Sequence, residues 1–119
     1  MARKVAAEEM AKFMEVICHP ARLEIISELK QQECDVTTLQ LKIGVSQSRM
    51  SQHLSALRKA GILKERRQGR QVFYRLVWPE LADWVASGMN MILRHNFTNG
   101  NAREAVEVSL PFWAQALDH

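Results

Sequence analysis

The sequence predicts a mainly α-helical protein with a small β-hairpin, in the order α-α-α-α-β-β-α followed by a C-terminal helical segment. Apolar residues recur at intervals of three and four along most of the 119-residue chain, as they do on the buried faces of amphipathic helices. Two segments rich in β-prone residues, 62–67 and 71–76, flank "QGR", in which Gly69 supplies a turn. A chain of this length can form one hydrophobic core, and no linker or repeat divides it, so we expect a single domain over residues 1–119.

Three helices are predicted in the first part of the chain. The first spans residues 3–18 and carries an apolar stripe that includes Met10, Phe13, Met14 and Ile17. Pro20 suits the first turn of the second helix, in "PARLEIISELKQQ", because the N–H group that proline lacks has no helical partner there. A loop at residues 33–35 then leads to a brief third helix in "VTTLQLKIG", which Gly44 ends.

The fourth helix follows after a turn of only three residues, 44–46. Ser46 is a good N-cap, because its hydroxyl can accept a hydrogen bond from an exposed N–H group of the first turn. Gly61 ends this helix, whose buried side is set by Met50, Leu54 and Leu57. Two short helices joined by such a turn, the second with a polar and cationic outer face, are typical of a helix-turn-helix. The hairpin directly after them makes the predicted fold a winged helix-turn-helix.

The C-terminal third of the chain is predicted to be helical as well. A longer helix over residues 79–95 places one set of residues on the same side: Leu81, Trp84, Val85, Gly88, Met89 and Ile92. The segment "NFTNGN" breaks it. Residues 102–119 are predicted to form one or two short helices that Pro111 interrupts, ending in the apolar residues Phe112, Trp113, Ala116 and Leu117.

Positive charge is concentrated around the fourth helix and the hairpin. The net charge of the chain is +3, but residues 46–75 carry eight basic residues and one acid, Glu65, which leaves −4 on the rest of the chain. No acid occurs at all in residues 46–64, although a solvated helix more often uses Glu and Lys pairs for support. A segregated basic surface of this kind favours a polyanion, because neutralising phosphates releases condensed counterions.

The polar face of the fourth helix and the hairpin tip are the candidate DNA-binding surface. Gln can pair with adenine, Arg with guanine, and Ser with several base edges or with phosphate. The candidates on the helix are Gln47, Ser48, Arg49, Ser51, Gln52, His53 and Arg58. Of these, we expect four to face the major groove: Gln47, Ser48, Ser51 and Gln52. The candidates on the wing, for phosphate or minor-groove contact, are Arg66, Arg67, Gln68, Arg70 and Gln71.

The segments "ICHPARLEIISEL" and "VTTLQLKIGVSQSRMSQHLSALRKAGILKERRQGRQVFYRL" resemble the ArsR/SmtB family of bacterial winged-helix repressors. The likeness extends over roughly residues 13–92. Its motif residues are Pro20, Arg22 and Leu23; Ser46, Ser48, Ser51, His53 and Leu54; and Gly69 and Arg70. The resemblance implies a homodimer, joined by the first and fifth helices, that binds operator DNA and blocks transcription until an inducer weakens that binding.

The apolar surface of these two helices independently favours a dimer, because it is larger than one small core needs. The candidate interface residues are Met10, Phe13, Met14, Ile17, Trp84, Met89 and Ile92. A two-fold dimer would place its recognition helices about 34 Å apart, so the operator is expected to be a near-palindrome.

The inducer is left open by the sequence. Many members of the resembling family sense metals, but Asp35 and Thr37 stand where a Cys-x-Cys pair would bind soft ions, and Trp78 stands where an acid is usual. Asp83 and His95 are too far apart for one helical face to chelate, so a metal-sensing repressor remains an alternative only with a non-standard site, in which a dimer partner closes the gap. We therefore expect no conventional metal site and no cofactor. Two thiols offer a redox alternative, Cys18 and Cys34, although in a reducing compartment they are two free cysteines and Cys18 extends an apolar stripe.

Other classes of protein fit less well. No apolar run approaches the ~20 residues that cross a bilayer, and the N-terminus lacks the apolar centre of a signal peptide, so a cytoplasmic location is expected and no membrane partner. No Gly-rich phosphate loop, Cys/His catalytic signature or His-Glu metal motif indicates an enzyme. The remaining alternative is a winged helix that binds only other proteins. Such a domain would not need a surface of Arg, Gln and Ser side chains on its fourth helix and hairpin.

Overall fold

The computed structural model describes residues 1–95 and 99–114, and within those ranges it contains six helices and three strands. The elements in chain order are α1 Ala2–Ile17, α2 Pro20–Glu28, β1 Cys34–Asp35, α3 Val36–Ile43, α4 Gln47–Lys59, β2 Leu63–Gln68, β3 Gln71–Leu76, α5 Glu80–Arg94 and α6 Gly100–Ala114. The mainly α-helical fold with a wing is confirmed.

The helix-turn-helix is formed by α3, residues 44–46 and α4. The Asp35 carboxylate caps α3 by accepting a hydrogen bond from the Thr38 backbone N–H at 3.3 Å. Gly44 ends α3 with a φ of 77°, a left-handed conformation that glycine adopts without a Cβ penalty. The Ser46 hydroxyl then accepts from the Arg49 N–H at 3.2 Å and starts α4. The predicted three-residue turn is therefore capped on both sides.

The sheet has three antiparallel strands in the order β1-β3-β2. Strand β1 was predicted as a loop, and that prediction was wrong: Cys34 pairs with Tyr74 and Asp35 with Phe73. Two residues are too few to show an alternating pattern, so the edge of β3, and not the local sequence, makes this segment a strand. As a result, residues just before α3 lie beside the wing.

The end of α4 leads almost directly into the wing. Gly61, with a φ of 78°, donates its N–H to the Arg58 carbonyl, and the Ile62 N–H bonds the Leu57 carbonyl, both at 3.0 Å. Strand β2 begins at the next residue. The hairpin register pairs Gln68 with Gln71, so its turn consists of Gly69 and Arg70 alone, one residue shorter than predicted.

The core lies between α2, α3, α4 and the inner face of the sheet. The three predicted core residues of α4, Met50, Leu54 and Leu57, are 0–2% exposed. They pack with Ile25, Ile26, Leu39 and Ile62, which are fully buried. Burying each side chain of this size contributes about 1.5–3 kcal/mol, so this layer fixes which face of α4 points to solvent.

Helix α6 runs through Pro111, and the predicted interruption there was wrong. Proline removes one backbone hydrogen bond of the helix, but side chains bridge the same turn: Trp113 Nε1 donates to the Ser109 hydroxyl at 3.1 Å. Arg103 also donates to the Leu93 carbonyl at 2.8 Å and ties α6 to the end of α5. The apolar residues 116 and 117, and part of the predicted break at 96–101, lie outside the described residues. No helix in the part of the chain that the structure describes is long and apolar enough to cross a membrane.

Candidate nucleic-acid interface

The outward face of α4 is polar, exposed and free of acids. Five of the predicted contacts are exposed there, opposite the buried Met50, Leu54 and Leu57: Gln47, Ser48, Arg49, Ser51 and Gln52. Within the described ranges, the side chains of Gln47, Ser51 and Gln52 make no hydrogen bond to the rest of the protein, so their donors and acceptors are available to a ligand. The positive end of the helix dipole adds to this preference for an anion or a base edge.

His53 is engaged inside the protein, unlike its neighbours on α4. It is half-buried, and its Nδ1 accepts a hydrogen bond of 3.1 Å from Nε of Arg22. The same guanidinium donates from Nη1 to the Val16 carbonyl at 2.7 Å, and the His19 ring lies 5.9 Å from the His53 ring. Arg22 therefore clamps the end of α1 to α4. His53 was predicted to contact DNA, but its Nδ1 atom is occupied by this clamp.

The environment of His53 favours its neutral form. Burial lowers its pKa first, and the charges of Arg22, His19 and Arg49 lower it further. Because Nδ1 accepts the bond from Arg22, protonating it would break the clamp and place two cations against each other. His53 is therefore a structural acceptor at neutral pH.

We expect the protein to lose stability as the pH falls below about 6.5, the ordinary pKa of an unfolded histidine. The folded-state pKa of His53 is depressed, so the unfolded chain binds its proton first, and the loss grows until the pH reaches the folded pKa. Urea unfolding of wild type and His53→Asn between pH 8 and 5 measures it. The Asn Oδ1 atom can accept from Arg22 but does not titrate, so the difference between the two proteins should depend on pH. The exposed His95→Asn control should track wild type; a pH-independent difference for His53→Asn would contradict the expectation.

The wing presents four exposed polar residues around its turn: Arg67, Gln68, Arg70 and Gln71. Arg66 is different, because it pairs with Glu33 and its guanidinium lies 4.6 Å from the centre of the Phe73 ring. Arg66 was predicted, with Arg67 and Arg70, to contact phosphate or the minor groove, and the prediction did not include an acid partner. Glu33 was missed because the sequence did not predict β1, the strand that brings it to the hairpin.

Two further cations belong to this surface. Lys64 and Arg75 lie directly opposite each other on β2 and β3, an arrangement of like charges that the nearby charge of Glu33 offsets only in part, at Arg75. With Arg58 they line a shallow cavity of about 480 Å³ at the base of the wing. Both residues were counted in the basic segment but were not chosen as contacts. The hairpin register places these two cations opposite each other, and this pairing is the feature by which they could have been chosen as contacts.

The second unusual surface is apolar and lies on α1 and α5. Met10, Met14, Trp84 and Met91 are 47–53% exposed, although they are large hydrophobic residues. Phe13 packs edge-on against Trp84 with ring centres 6.2 Å apart. Met89 and Ile92 are half-buried and line a neighbouring cavity of about 430 Å³ with Met14 and Trp84. Ile17, predicted at the interface, is only 4% exposed in the protomer core, so that assignment was wrong.

The two cysteines differ in access. Cys18 is exposed at the end of α1, whereas Cys34 is buried on β1 with its thiol 4.0 Å from the Gln32 carbonyl. Burial raises the pKa of Cys34 and disfavours the reactive thiolate. An oxidant would therefore meet Cys18 first. In residues 1–95 and 99–114, no three His, Cys, Asp or Glu side chains cluster closely enough to hold a metal ion.

Known proteins with similar sequences and structures are transcription regulators. Residues 19–65 match the family model described as bacterial regulatory protein, arsR family. The biofilm growth-associated repressor of Xylella fastidiosa is 38% identical over 79 residues, which cover 66% of this chain and 69% of that protein. The nodulation protein NolR of Rhizobium meliloti is 40% identical over 68 residues, or 57% of this chain and 56% of that protein.

Solved structures agree with this relationship. The transcriptional repressor BigR from Xylella fastidiosa superposes with a TM-score of 0.68 at 33% identity, covering 76% of this chain and 92% of that one. NolR from Sinorhizobium fredii has the same TM-score at 30% identity and covers 76% of this chain and 90% of its own. The chain therefore belongs to the arsR family of bacterial regulatory proteins and is a DNA-binding transcriptional repressor.

Proposed function

We propose that the protein represses transcription as a homodimer that binds a near-palindromic operator, with α4 of each protomer in the major groove and the wing on the adjoining backbone. The observation that carries this proposal is the acid-free, exposed face of α4, which continues into the cationic hairpin. A protein-binding winged helix has no need of that combination.

The groove-facing residues divide by the chemistry of their side chains. Gln47 and Gln52 each carry an amide that can pair with an adenine edge in two hydrogen bonds, so they are the sequence-reading residues. Ser48 and Ser51 are short, which allows the helix to approach the bases closely. Arg49, beside them in the first turn, bonds a guanine or a phosphate.

The wing supplies charge and not sequence information. Arg67 and Arg70 are exposed, and neither makes an ion pair within the described residues. Lys64 and Arg75 extend the same positive surface toward α4. Phosphates would relieve the repulsion between these cations, and their binding would release counterions from the DNA.

The apolar surface on α1 and α5 supports the homodimer. Ile17 is the one buried residue in the 16-residue α1, so most of this helix is left uncovered by the part of the protomer that the structure describes. A second copy that places α1 and α5 against their equivalents would cover Met10, Met14 and Trp84 from both sides. Such a two-fold contact is self-complementary and sets the two α4 helices on successive turns of one DNA face.

Alanine substitutions should separate the two kinds of DNA contact. Gln52→Ala is expected to weaken operator binding by about 1–3 kcal/mol while leaving non-specific DNA unaffected. Arg70→Ala should weaken both DNAs alike and lower the salt dependence by about one ion. Fluorescence anisotropy with the protein's own upstream DNA and a scrambled duplex, at several salt concentrations, measures both effects.

Matched controls for this experiment lie at exposed positions outside α4 and the wing. Gln31→Ala, just beyond α2, and Arg94→Ala, at the end of α5, should bind both DNAs as wild type does. Equal losses of Gln52→Ala on the two DNAs would remove the role given to Gln52. A wild-type protein without any salt-sensitive preference for the operator would overturn the proposed function as a whole.

A further inference from the structure

Arg66 lies on the wing, but each nitrogen of its guanidinium already has a protein acceptor. Nη2 bonds Oε1 of Glu33, Nε donates to Oε2 of the same carboxylate at 3.4 Å, and Nη1 donates to the Gln68 Oε1 at 2.8 Å. The face of the group is used as well, because Phe73 lies beneath it at 4.6 Å. Such a side-on pair with both carboxylate oxygens fixes an orientation in a way that a single contact does not.

The two ends of this ion pair belong to different parts of the DNA-binding unit. Arg66 is on β2, three residues before the turn of the wing, while Glu33 immediately precedes β1. Asp35, two residues further on, caps α3, the first helix of the helix-turn-helix. The pair therefore joins the wing to the start of the helix-turn-helix across the outer face of the sheet.

Contact of Arg66 with a phosphate would disturb this arrangement. It would have to leave Phe73 and Gln68, and it would expose the charge of Glu33 close to the DNA. The bond from Arg66 lowers the pKa of Glu33 only while the pair is intact, but an unpaired glutamate, with an ordinary pKa of about 4.3, is also negative at neutral pH. Arg67 and Arg70 can meet phosphates without any such rearrangement.

We propose that Arg66 is a positioning residue and not a DNA contact: with Glu33 it forms a latch that holds the wing at a fixed angle to the helix-turn-helix. This inference rests on the proposed function, because the angle matters only when both parts engage one DNA duplex. It assigns Glu33, an acid beside a polyanion-binding surface, a positive role in DNA binding.

Removing the Glu33 carboxylate tests the latch, because the two models predict opposite changes in operator affinity. If Arg66 contacts phosphate, Glu33→Ala should tighten binding, because it frees Arg66 and removes a repulsive charge. The latch model predicts the reverse, a loss of operator affinity of roughly three- to tenfold. Glu107→Ala removes an exposed carboxylate that also pairs with an arginine, on α6, and should have no effect.

Arg66→Lys provides a second, independent readout. Lysine keeps the charge but cannot bond both carboxylate oxygens and Gln68 together, or stack a flat group on Phe73. The latch therefore predicts that Arg66→Lys and Glu33→Ala lose similar affinity, that the double variant loses no more than either, and that the salt dependence of Arg66→Lys equals that of wild type. Tighter binding by Glu33→Ala, or full affinity of Arg66→Lys, would overturn the proposal.

Hydrogen exchange of the wing amides in the free protein separates failure of the latch from failure of the proposed function. Glu33→Ala should speed exchange over residues 64–75 several-fold relative to α2 and α4. This readout needs no DNA. Unchanged exchange in that variant would reject the latch even if operator binding behaves as proposed, and faster exchange would support it even if no operator is bound.

Discussion

A Met14→Glu protein is expected to be a folded monomer that binds its operator roughly 10²–10⁴-fold more weakly than wild type. Loss of the dimer removes the gain in effective concentration that two linked recognition helices share on one duplex. Each remaining protomer still carries an intact α4 and wing, so binding to an isolated half-site should change little once protomer concentrations are matched.

Met14 suits this test because the protomer does not need it. Its side chain is 48% exposed, and it lines two apolar cavities together with Trp84. A carboxylate there stays in water when the protomer is alone but would lose that water on the proposed two-fold contact, where its counterpart from the second copy also lies. Substituting the core residue Ile17 instead would confuse unfolding with dissociation.

Analytical ultracentrifugation gives the mass, and circular dichroism verifies that the helices persist. Leu41→Glu is the matched control: Leu41 is 80% exposed on α3, away from α1 and α5, and its replacement should leave the mass unchanged. A dimer of normal mass from Met14→Glu would show that the two protomers meet elsewhere.

Arg22→Met should destabilise the protein by roughly 2–4 kcal/mol, because it removes two hydrogen bonds made by one partly buried charge. Methionine fills a similar length but leaves the Val16 carbonyl and the His53 Nδ1 atom without a donor. The unsatisfied carbonyl is at the end of α1, where few other donors are available.

Urea unfolding at pH 7.5 measures the loss, which should appear as a lower midpoint with an unchanged slope. Arg94→Met, an exposed arginine at the end of α5, is expected to stay within about 0.5 kcal/mol of wild type. An equally small effect for Arg22→Met would mean that solvent replaces the clamp and that α1 and α4 are held by packing alone.

Much of this fold could be predicted from the sequence because helical periodicity is repeated and local. Met50, Leu54 and Leu57 mark the inner face of α4 by their spacing alone, and Ser46 and Gly61 mark its two ends. The residues opposite this inner face must be exposed, so the residues proposed to face the groove could be chosen without knowledge of tertiary contacts.

What could not be predicted depends on partners that are distant in sequence. Strand β1 exists because β3 lies beside it, and without β1 nothing connects Glu33 to Arg66 across 33 positions. His53 was predicted to be a surface contact because its partner Arg22 lies 31 positions earlier, and the hydrogen bond between them forms only in the folded chain. Ile17 fell on the apolar stripe of α1, but periodicity does not distinguish a helix face covered by its own protomer from one covered by a second copy.

The hydrogen bond from the Ile62 N–H to the Leu57 carbonyl affects how the protein fits the spacing of contacts along an operator. This bond leaves no flexible residue between the last turn of α4 and the first residue of β2, so the base of the hairpin is fixed to the helix. In the proposed complex, the base pairs under the helix and the phosphates under the wing are then a fixed distance apart. In the proposed dimer, one base pair inserted between the two half-sites would rotate one half-site by about 35° relative to the other, so the two helix–hairpin units could not both engage, and half-site spacing should matter as well as sequence.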